Sequence, residues 1–297
     1  MKYDFDFNVR QKSRLRLILS TDAKNEADDQ YAIAHAVMSP KLITKGIIAS
    51  HFEYKRPQGS MEKSYEEIVK VLSLMDIQDD IKVLKGAEGA LKDENVPIHS
   101  EGAAFIVEEA MKQDDLPLFV VCIGALTDLA CAYLIQPEIA KKITAIWVGG
   151  GSYPKGHPEF NLKNDLNAAN VVFKSEIPLW QVPLDTCSTM KISLAELQYK
   201  VKPFGKIGEY LFEQLCEISS NEEWTLGESW IFWDSSAIGL LLDEHGFQFE
   251  IKQASSFNKD MNYIPAPGKR DIRVYNYIDT RFIFEDFFSK LAINYGK

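Results

Sequence analysis

Residues 15–37, LRLILSTDAKNEADDQYAIAHAV, decide the fold of this 297-residue chain. They begin with an apolar run that is typical of a buried strand, continue into a polar loop, and end in a helical pattern. The polar side chains of the loop are Asp22, Asn25, Glu26, Asp28 and Asp29. Because α/β folds place their ligand sites where strands end, this stretch predicts a site at the carboxyl edge of a parallel sheet.

Beyond this stretch, apolar strand patterns continue to alternate with amphipathic helical patterns. Strands are predicted at 15–19, 43–49, 81–84, 118–123, 143–148, 179–182 and 271–277. Helices are predicted at 28–38, 61–75, 102–113, 126–135, 166–175, 194–198, 204–218, 235–242 and 280–291. The alternation predicts an α/β fold with an open, mostly parallel, Rossmann-like sheet and helices on both faces. We expect one domain over 1–297, a more helical C-terminal third at about 190–297, and a loop at 265–270.

The composition, 46% hydrophobic and 26% charged, is typical of a globular enzyme and excludes a disordered chain. Asp and Glu outnumber Lys and Arg by 43 to 33, so we expect no nucleic-acid polymer as a partner. No window holds 18 consecutive apolar residues, and the first 20 residues lack the apolar segment of a signal peptide. The four cysteines follow no zinc signature. We therefore expect no membrane partner, reduced thiols and a cytoplasmic location.

Four carboxylates within residues 22–29 repel one another unless an opposite charge lies among them. A hard divalent cation such as Ca²⁺ or Mg²⁺ would neutralise them, because both prefer carboxylate oxygens. The alternative is helix capping, since acidic residues favour helix N-termini. Helix capping needs only one or two acidic residues, and this loop has four. The number of acidic residues therefore favours a metal site. The spacing is not that of an EF-hand.

Several blocks resemble, in order, the inosine–uridine-preferring nucleoside hydrolase family. The opening strand–acid–loop–Asp-Asp–helix pattern is similar to the signature of that family. It is followed by GIIASHF at 46–52, VVCIGALTDLA at 120–130, IWVGGGSYPKGHPEFNLKNDLNAANVVF at 146–173 and FWDSSAIGLL at 232–241. The block at 146–173 is the most specific match. Together the blocks cover most of residues 15–290.

The resemblance implies a Ca²⁺ ion at the strand ends that binds the ribose 2′ and 3′ hydroxyls. The implied metal ligands are Asp22, Asp29, Asp234 and the main-chain carbonyl of Ile123. The implied sugar-binding residues are Asp28, Glu159 and Asn161. Because Ca²⁺ is a weak Lewis acid, a carboxylate is needed as general base, and we assign that role to Asp22.

The opening loop departs from the family pattern, with five residues (23–27) between the first Asp and the Asp-Asp pair where three are usual. The form T-D-x-x-N-E-x-D-D resembles a divergent branch of the superfamily. We expect the inserted Asn25 and Glu26 to contact the metal or the sugar.

Trp233 stands where the family has the His that is thought to protonate the leaving base, and an indole has no acidic role near pH 7. Trp230, Phe232 and Trp233 could form a stacking platform for a base, or they could belong to the core. His157 is the replacement acid favoured by its place two residues before Glu159. His51 could also reach the site, His35 is expected to be structural, and Trp224 is left unassigned.

These features predict a Ca²⁺-dependent hydrolase that cleaves the N-glycosidic bond of a ribonucleoside or related riboside. The alternatives are a glycosidase for another sugar on the same scaffold, and a non-catalytic protein that binds nucleosides or carbohydrates through the metal. The resemblance further implies a homodimer or homotetramer that serves nucleoside salvage.

Overall fold

Strand β1, Leu15–Thr21, lies inside the main sheet and is buried over its last six residues. The computed structural model describes residues 5–54, 58–221, 227–265 and 270–296. The other strands are β2 Leu42–Ala49, β3 Val83–Lys85, β4 Leu118–Cys122, β5 Ile143–Val148, β6 Leu179–Val182, β7 Lys191–Ser193, β8 Ser229–Ile231, β9 Gln248–Gln253, β10 Ser255–Phe257, β11 Tyr263–Pro265 and β12 Asp271–Tyr277.

Helices occupy most of the connections between the strands. They are α1 Asp29–Met38, α2 Ser60–Leu74, α3 Glu101–Met111, α4 Thr127–Ile135, α5 Phe160–Asn164, α6 Leu166–Lys174, α7 Leu184–Cys187, α8 Leu194–Lys200, α9 Gly205–Asn221, α10 Ser235–Leu242 and α11 Thr280–Tyr295. Short 3₁₀ helices lie at Gln11–Ser13, Pro137–Lys141 and Glu244–Gly246. Within the described ranges, no helix is both long and apolar enough to cross a membrane.

The main sheet has eight strands in the order β3-β2-β1-β4-β5-β6-β12-β9. All neighbouring strands pair in parallel except β12 and β9, which pair antiparallel. The strand order reverses between β1 and β4, and such a switch point opens a crevice at the carboxyl ends of the two strands. The predicted open, mostly parallel sheet is confirmed.

Alternate residues of β1 supply both faces of the sheet, as the two-residue period of a strand requires. Leu17 and Leu19 pack into an apolar cluster that includes residues of α1, α2, α9, α10 and α11. Ile18 packs into a second cluster, which includes residues of α3, α4 and α6. Helices therefore cover both faces, as predicted.

Helix α1 is not amphipathic, contrary to the prediction. All ten of its residues are buried, because α2, α10 and α11 pack around it. A helix that is covered on every side has no solvent-facing stripe, so the predicted polar face does not exist. The buried polar residues of α1 are instead paired: His35 Nε2 lies 2.7 Å from Asp286 Oδ2, and a structural role for His35 is consistent with this contact.

The residues after 190 form four of the predicted helices but also six strands, of which only β12 was predicted. Strand β9 was missed because its side chains are exposed or half-buried, so it shows no apolar run. Strands β7, β8, β10 and β11 have three residues each, too few to produce a period. Trp224 and most of the predicted loop at 265–270 lie outside the described residues.

Candidate active site

Three neighbouring strand ends form the floor of the candidate site. Strand β1 leads into Asp22, β4 leads into Ile123, and β5 leads into Gly149. The register pairs Ser20 with Cys122 across β1 and β4, so these ends lie side by side at the switch point. The acidic loop of β1 therefore opens into the crevice where ligands bind in this class of fold.

Carboxylates from two distant helix starts converge above this floor. Oxygens of Asp28, Asp29 and Asp234 lie within 4.8 Å of one another. The backbone N–H of Asp234 donates to Asp28 Oδ2 at 3.1 Å, which ties the start of α10 to the start of α1. The hydroxyl of Thr21, the last residue of β1, donates to Asp29 Oδ1. The late acid is thus part of the same cluster as the opening loop.

Asp22 is not one of these three residues, although Asp28 and Asp29 repel its charge. Burial raises the pKa of all four carboxyl groups. For Asp29 the pKa rises to about 6. For Asp22 burial acts together with repulsion from Asp29 and Glu26, and for Asp234 together with repulsion from Asp28 and Asp29. Oδ2 of Asp22 is buried without a hydrogen-bond partner. A set of oxygen ligands with unneutralised charge and an unpaired buried oxygen fits a hard divalent cation.

Gly124 lets the Asp22 side chain sit against the end of β4. A Cβ atom at position 124 would lie 2.7 Å from Asp22 Oδ1, closer than real Cβ contacts allow. The close approach therefore requires glycine at this position. It holds the Asp22 carboxylate between the ends of β1 and β4.

Glu159 and Asn161 connect short helix α5 to the floor of the site. The carboxylate of Glu159 caps α5 and accepts backbone N–H groups from Gly150, Asn161 and Leu162 at 2.8–3.0 Å. Burial raises the pKa of Glu159 although these three donors act against the rise. The side-chain amide of Asn161 donates to the carbonyls of Ile123 and Val148 at 3.1 and 2.9 Å. Helix α5 is thereby fixed to the ends of β4 and β5.

A cavity of about 260 Å³ lies over this floor. Its lining includes nine of the ten predicted site residues: Asp22, Asn25, Asp28, Asp29, Ile123, Glu159, Asn161, Trp233 and Asp234. Glu26 of the inserted loop lines it too. The cavity is also lined by Phe160, Lys163, Leu184 and Cys187, none of which was predicted as a site residue. A signal for Lys163 was available, because one helical turn separates it from Glu159.

His157 is not among the residues that line this cavity. It lies half-buried beside Gly151, and its Nδ1 is 3.2 Å from the carbonyl oxygen of Pro158. His51 does not line the cavity either. It is buried, its Nε2 lies 2.8 Å from Thr127 Oγ1, and burial lowers its pKa to about 4.

The three aromatic residues at 230–233 separate into two environments. Trp230 and Phe232 are buried in the core, where the ring of Phe232 lies 4.4 Å from that of Tyr31. Only Trp233 lines the cavity. A three-ring platform for a base therefore does not form, because Trp230 of β8 and Phe232, which follows β8, are both buried in the core.

Comparison with known proteins agrees with this geometry. The family model described as inosine-uridine preferring nucleoside hydrolase matches residues 17–277. The match includes most of β1, the opening loop, α5 and the start of α10. The chain therefore belongs to the inosine–uridine-preferring nucleoside hydrolase family, whose members are metal-dependent.

Individual relatives lead to the same class of enzyme. The chain is 26% identical over 238 residues to the pyrimidine-specific ribonucleoside hydrolase RihA of Salmonella arizonae, covering 71% of this chain and 74% of the relative. It shares its fold with the purine-preferring ribonucleoside hydrolase of Gardnerella vaginalis at a TM-score of 0.78 and 20% identity, over 93% and 98% of the two chains. A plant nucleoside hydrolase matches at a TM-score of 0.75 and 17% identity, over 93% and 98%. The protein is a hydrolase of N-glycosyl bonds that releases ribose and free base from ribonucleosides.

Proposed function

We propose that this hydrolysis depends on calcium and uses Asp22 as its general base. The observation that carries the proposal is the buried, oxygen-only carboxylate cluster at the switch point of the sheet. Such a cluster is costly without a cation, because buried like charges repel one another in a medium of low dielectric constant. Calcium accepts many oxygen ligands in flexible geometry, which suits a set of three carboxylates and a carbonyl.

The residues that would hold the ion are Asp22, Asp29, Asp234 and the carbonyl of Ile123. That carbonyl already accepts a hydrogen bond from Asn161 and has a second lone pair for a cation. Asp28, within the same 4.8 Å cluster, is assigned to the ribose hydroxyls, together with Asn25, Glu159 and Asn161. Calcium, when bound, would neutralise the carboxylates and orient two sugar hydroxyls.

The chain's own residues then perform the reaction. Asp22 takes a proton from a water molecule, and the remaining hydroxide oxygen forms a bond to C1′ of the ribose. The N-glycosidic bond breaks, and its electron pair leaves with the base. Positive charge builds up on the sugar in this step, as in the hydrolysis of O-glycosides. The carboxylates of Asp28 and Glu159 stabilise that charge because they are held in place before the reaction begins.

The leaving base receives no proton from Trp233, whose indole N–H is not acidic near pH 7. Trp233 instead provides an apolar wall for the base. Loss of a general acid typically costs about 10²–10⁴-fold in rate. Leaving groups that depart without a proton should escape this penalty. His157 stays the candidate donor within the neighbouring loop.

A comparison of leaving groups tests this proposal. We expect calcium-loaded protein to cleave 4-nitrophenyl riboside at least 100-fold faster than inosine or uridine. Chelation should abolish all three activities, and added calcium should restore them. Equal rates for uridine and the nitrophenyl riboside would mean that an efficient acid exists. Calcium-dependent binding of ribose without any turnover would favour the alternative of a binding protein.

We also propose that the enzyme is a cytoplasmic homodimer or homotetramer. The resemblance to the family supports the oligomer, and the four unpaired cysteines are consistent with a reducing compartment. Light scattering of the purified protein measures the oligomer directly, and a monomeric mass would contradict it.

A further inference from the structure

Lys163 is the only basic residue among the described residues that line the cavity. The same lining holds six carboxylates, from Asp22, Glu26, Asp28, Asp29, Glu159 and Asp234. Within the described part of the chain, the ammonium group of Lys163 forms no ion pair with any of them. It lies instead 5.6 Å from the centroid of the Tyr54 ring. Its charge acts on Glu159, four residues earlier, and opposes the rise in the pKa of that carboxyl group. The cavity therefore combines six carboxylates with one positive charge that no ion pair within the described residues neutralises.

The position of Lys163 is fixed by the fold. It belongs to α5, which the hydrogen bonds of Asn161 attach to the ends of β4 and β5. The next residue, Asn164, accepts the backbone N–H of Tyr54 at 3.0 Å through its Oδ1 atom. One short helix thus positions both the ammonium group and the aromatic ring on which it rests. Lys163 is half-buried, so its charge is less screened than that of an exposed lysine.

We propose that Lys163 binds an anionic substituent of the substrate, so that anionic ribosides are preferred over neutral nucleosides. The inference rests on the proposed riboside hydrolysis at the same cavity. An anion near the acidic floor would be repelled, whereas at Lys163 it forms a charge-assisted hydrogen bond. The substituent is a phosphate on the ribose or a carboxylate on the base, and the two share the chemistry that a lysine recognises.

Three related substrates distinguish a phosphate on the ribose from a carboxylate on the base, and their cleavage needs no general acid. Nicotinamide riboside has no anionic group, its 5′-phosphate carries one on the sugar, and nicotinic acid riboside carries one on the base. In all three compounds the ring nitrogen takes the electron pair of the glycosidic bond, becomes a neutral pyridine nitrogen and needs no proton. We expect kcat/KM for one of the two anionic compounds to exceed that for nicotinamide riboside by about 10–100-fold, the value of one charge-assisted hydrogen bond.

Variants at position 163 assign that preference to the lysine. In Lys163→Met the ratio of kcat/KM for the preferred anionic compound to kcat/KM for nicotinamide riboside should fall close to one. Lys163→Arg should keep most of the preference, and Lys163→Gln should behave like Lys163→Met. The matched control is Lys142→Met, an exposed lysine at the opposite, amino end of β5.

The outcomes are distinct. The role of Lys163 would be overturned if the wild type cleaved the anionic compounds and nicotinamide riboside with similar kcat/KM. It would also be overturned if Lys163→Met kept the wild-type preference for the anionic compound. An equal loss for all three substrates would overturn it too, because it would show a general effect on catalysis. Absence of turnover for all three would count against the proposed hydrolysis instead. In that case, calorimetric binding of the same compounds still decides the preference for an anion.

Discussion

Asp22 combines three properties that a general base in this site needs. It is buried, one of its carboxylate oxygens has no hydrogen-bond partner, and Gly124 keeps it against the strand ends. We expect Asp22→Asn to lower kcat by at least about 10²–10⁴-fold, because an amide cannot accept the proton of water. Turnover of 4-nitrophenyl riboside at saturating calcium provides the measurement.

The matched control for this variant is Asp185→Asn, which changes an exposed aspartate of α7 in the same way. It should leave kcat unchanged. The far-ultraviolet circular dichroism of Asp22→Asn should match that of the wild type, since removing one buried negative charge relieves repulsion. Wild-type activity in Asp22→Asn would eliminate Asp22 as the base.

His51 gives the protein a defined pH dependence of stability. Burial lowers its folded-state pKa to about 4, below the unfolded value of 6.5. Because the unfolded chain takes up the proton first, the stability associated with neutral His51 is present above pH 6.5. It is lost as the pH falls from 6.5 toward 4. The shift corresponds to a loss of up to about 3 kcal/mol.

Replacement of His51 should therefore reduce the loss of folding stability as the pH falls from 6.5 to 4. We expect the free energy of unfolding of His51→Gln, measured with urea in chelator, to fall less than that of the wild type between pH 6.5 and 4. The exposed His99, replaced in His99→Gln, should follow the wild type. Parallel curves for His51→Gln and the wild type would show that His51 is not buried as a neutral base.

At the scale of elements, two glutamines attach the inserted part of the opening loop to the helices around it. Gln30 of α1 donates to the carbonyl of Ala23. Gln214 of α9 donates to the carbonyl of Ala27 at 2.8 Å. The two side chains are buried, and the carbonyls stand at the two ends of the 23–27 segment. They hold the loop so that Asn25 and Glu26 line the cavity.

Loss of one tether should affect both stability and catalysis. We expect Gln214→Leu to cost about 1–3 kcal/mol in the free energy of unfolding, because it leaves the buried carbonyl of Ala27 without a donor. It should also lower kcat/KM for nitrophenyl riboside and weaken calcium binding, since the sugar-binding Asp28 and the proposed calcium ligand Asp29 follow Ala27 directly. The exposed neighbour Glu209, as Glu209→Gln, serves as the control. Unchanged calcium affinity in Gln214→Leu would show that the loop keeps its shape without α9.

At the scale of the whole molecule, we propose that the chain folds as one unit. The main sheet takes strands from Leu15 to Tyr277, and one apolar cluster joins residues from Leu17 to Leu291. No strand of this sheet is stable without its neighbours, so we expect a single cooperative thermal transition. Two separate transitions in calorimetry would contradict this proposal.

The same experiment measures the coupling between the metal and the fold. Calcium at 100 times its dissociation constant should stabilise the folded state by about 2.7 kcal/mol. The resulting rise in Tm should disappear in Asp234→Asn, because that variant removes the ligand contributed by the last third of the chain. Asp185→Asn should keep the rise. A calcium shift that survives in Asp234→Asn would place the ion elsewhere.

Elements with local signals could be predicted from the amino-acid sequence alone. Apolar runs of four to eight residues mark the buried parallel strands, and the bounds predicted for β5, β6 and β12 agree with the structure. The carboxylates after β1 could be predicted to form a site because they follow a buried apolar strand directly. The resemblance then identified the family over the same residues, and the family match confirms it.

Features that depend on contacts between residues distant in the chain were visible only in the folded structure. It alone made α1 buried on all sides, placed exposed β9 at the sheet edge, and turned Trp230 and Phe232 into the core. It also brought Asp234 to Asp28 across 206 positions and placed Lys163 in the lining of a cavity with six carboxylates. The spacing of apolar residues along one helix or strand predicts only which of its side chains are buried and which are exposed. The distant residues that pack against a buried side chain are determined only when the helices pack on the sheet.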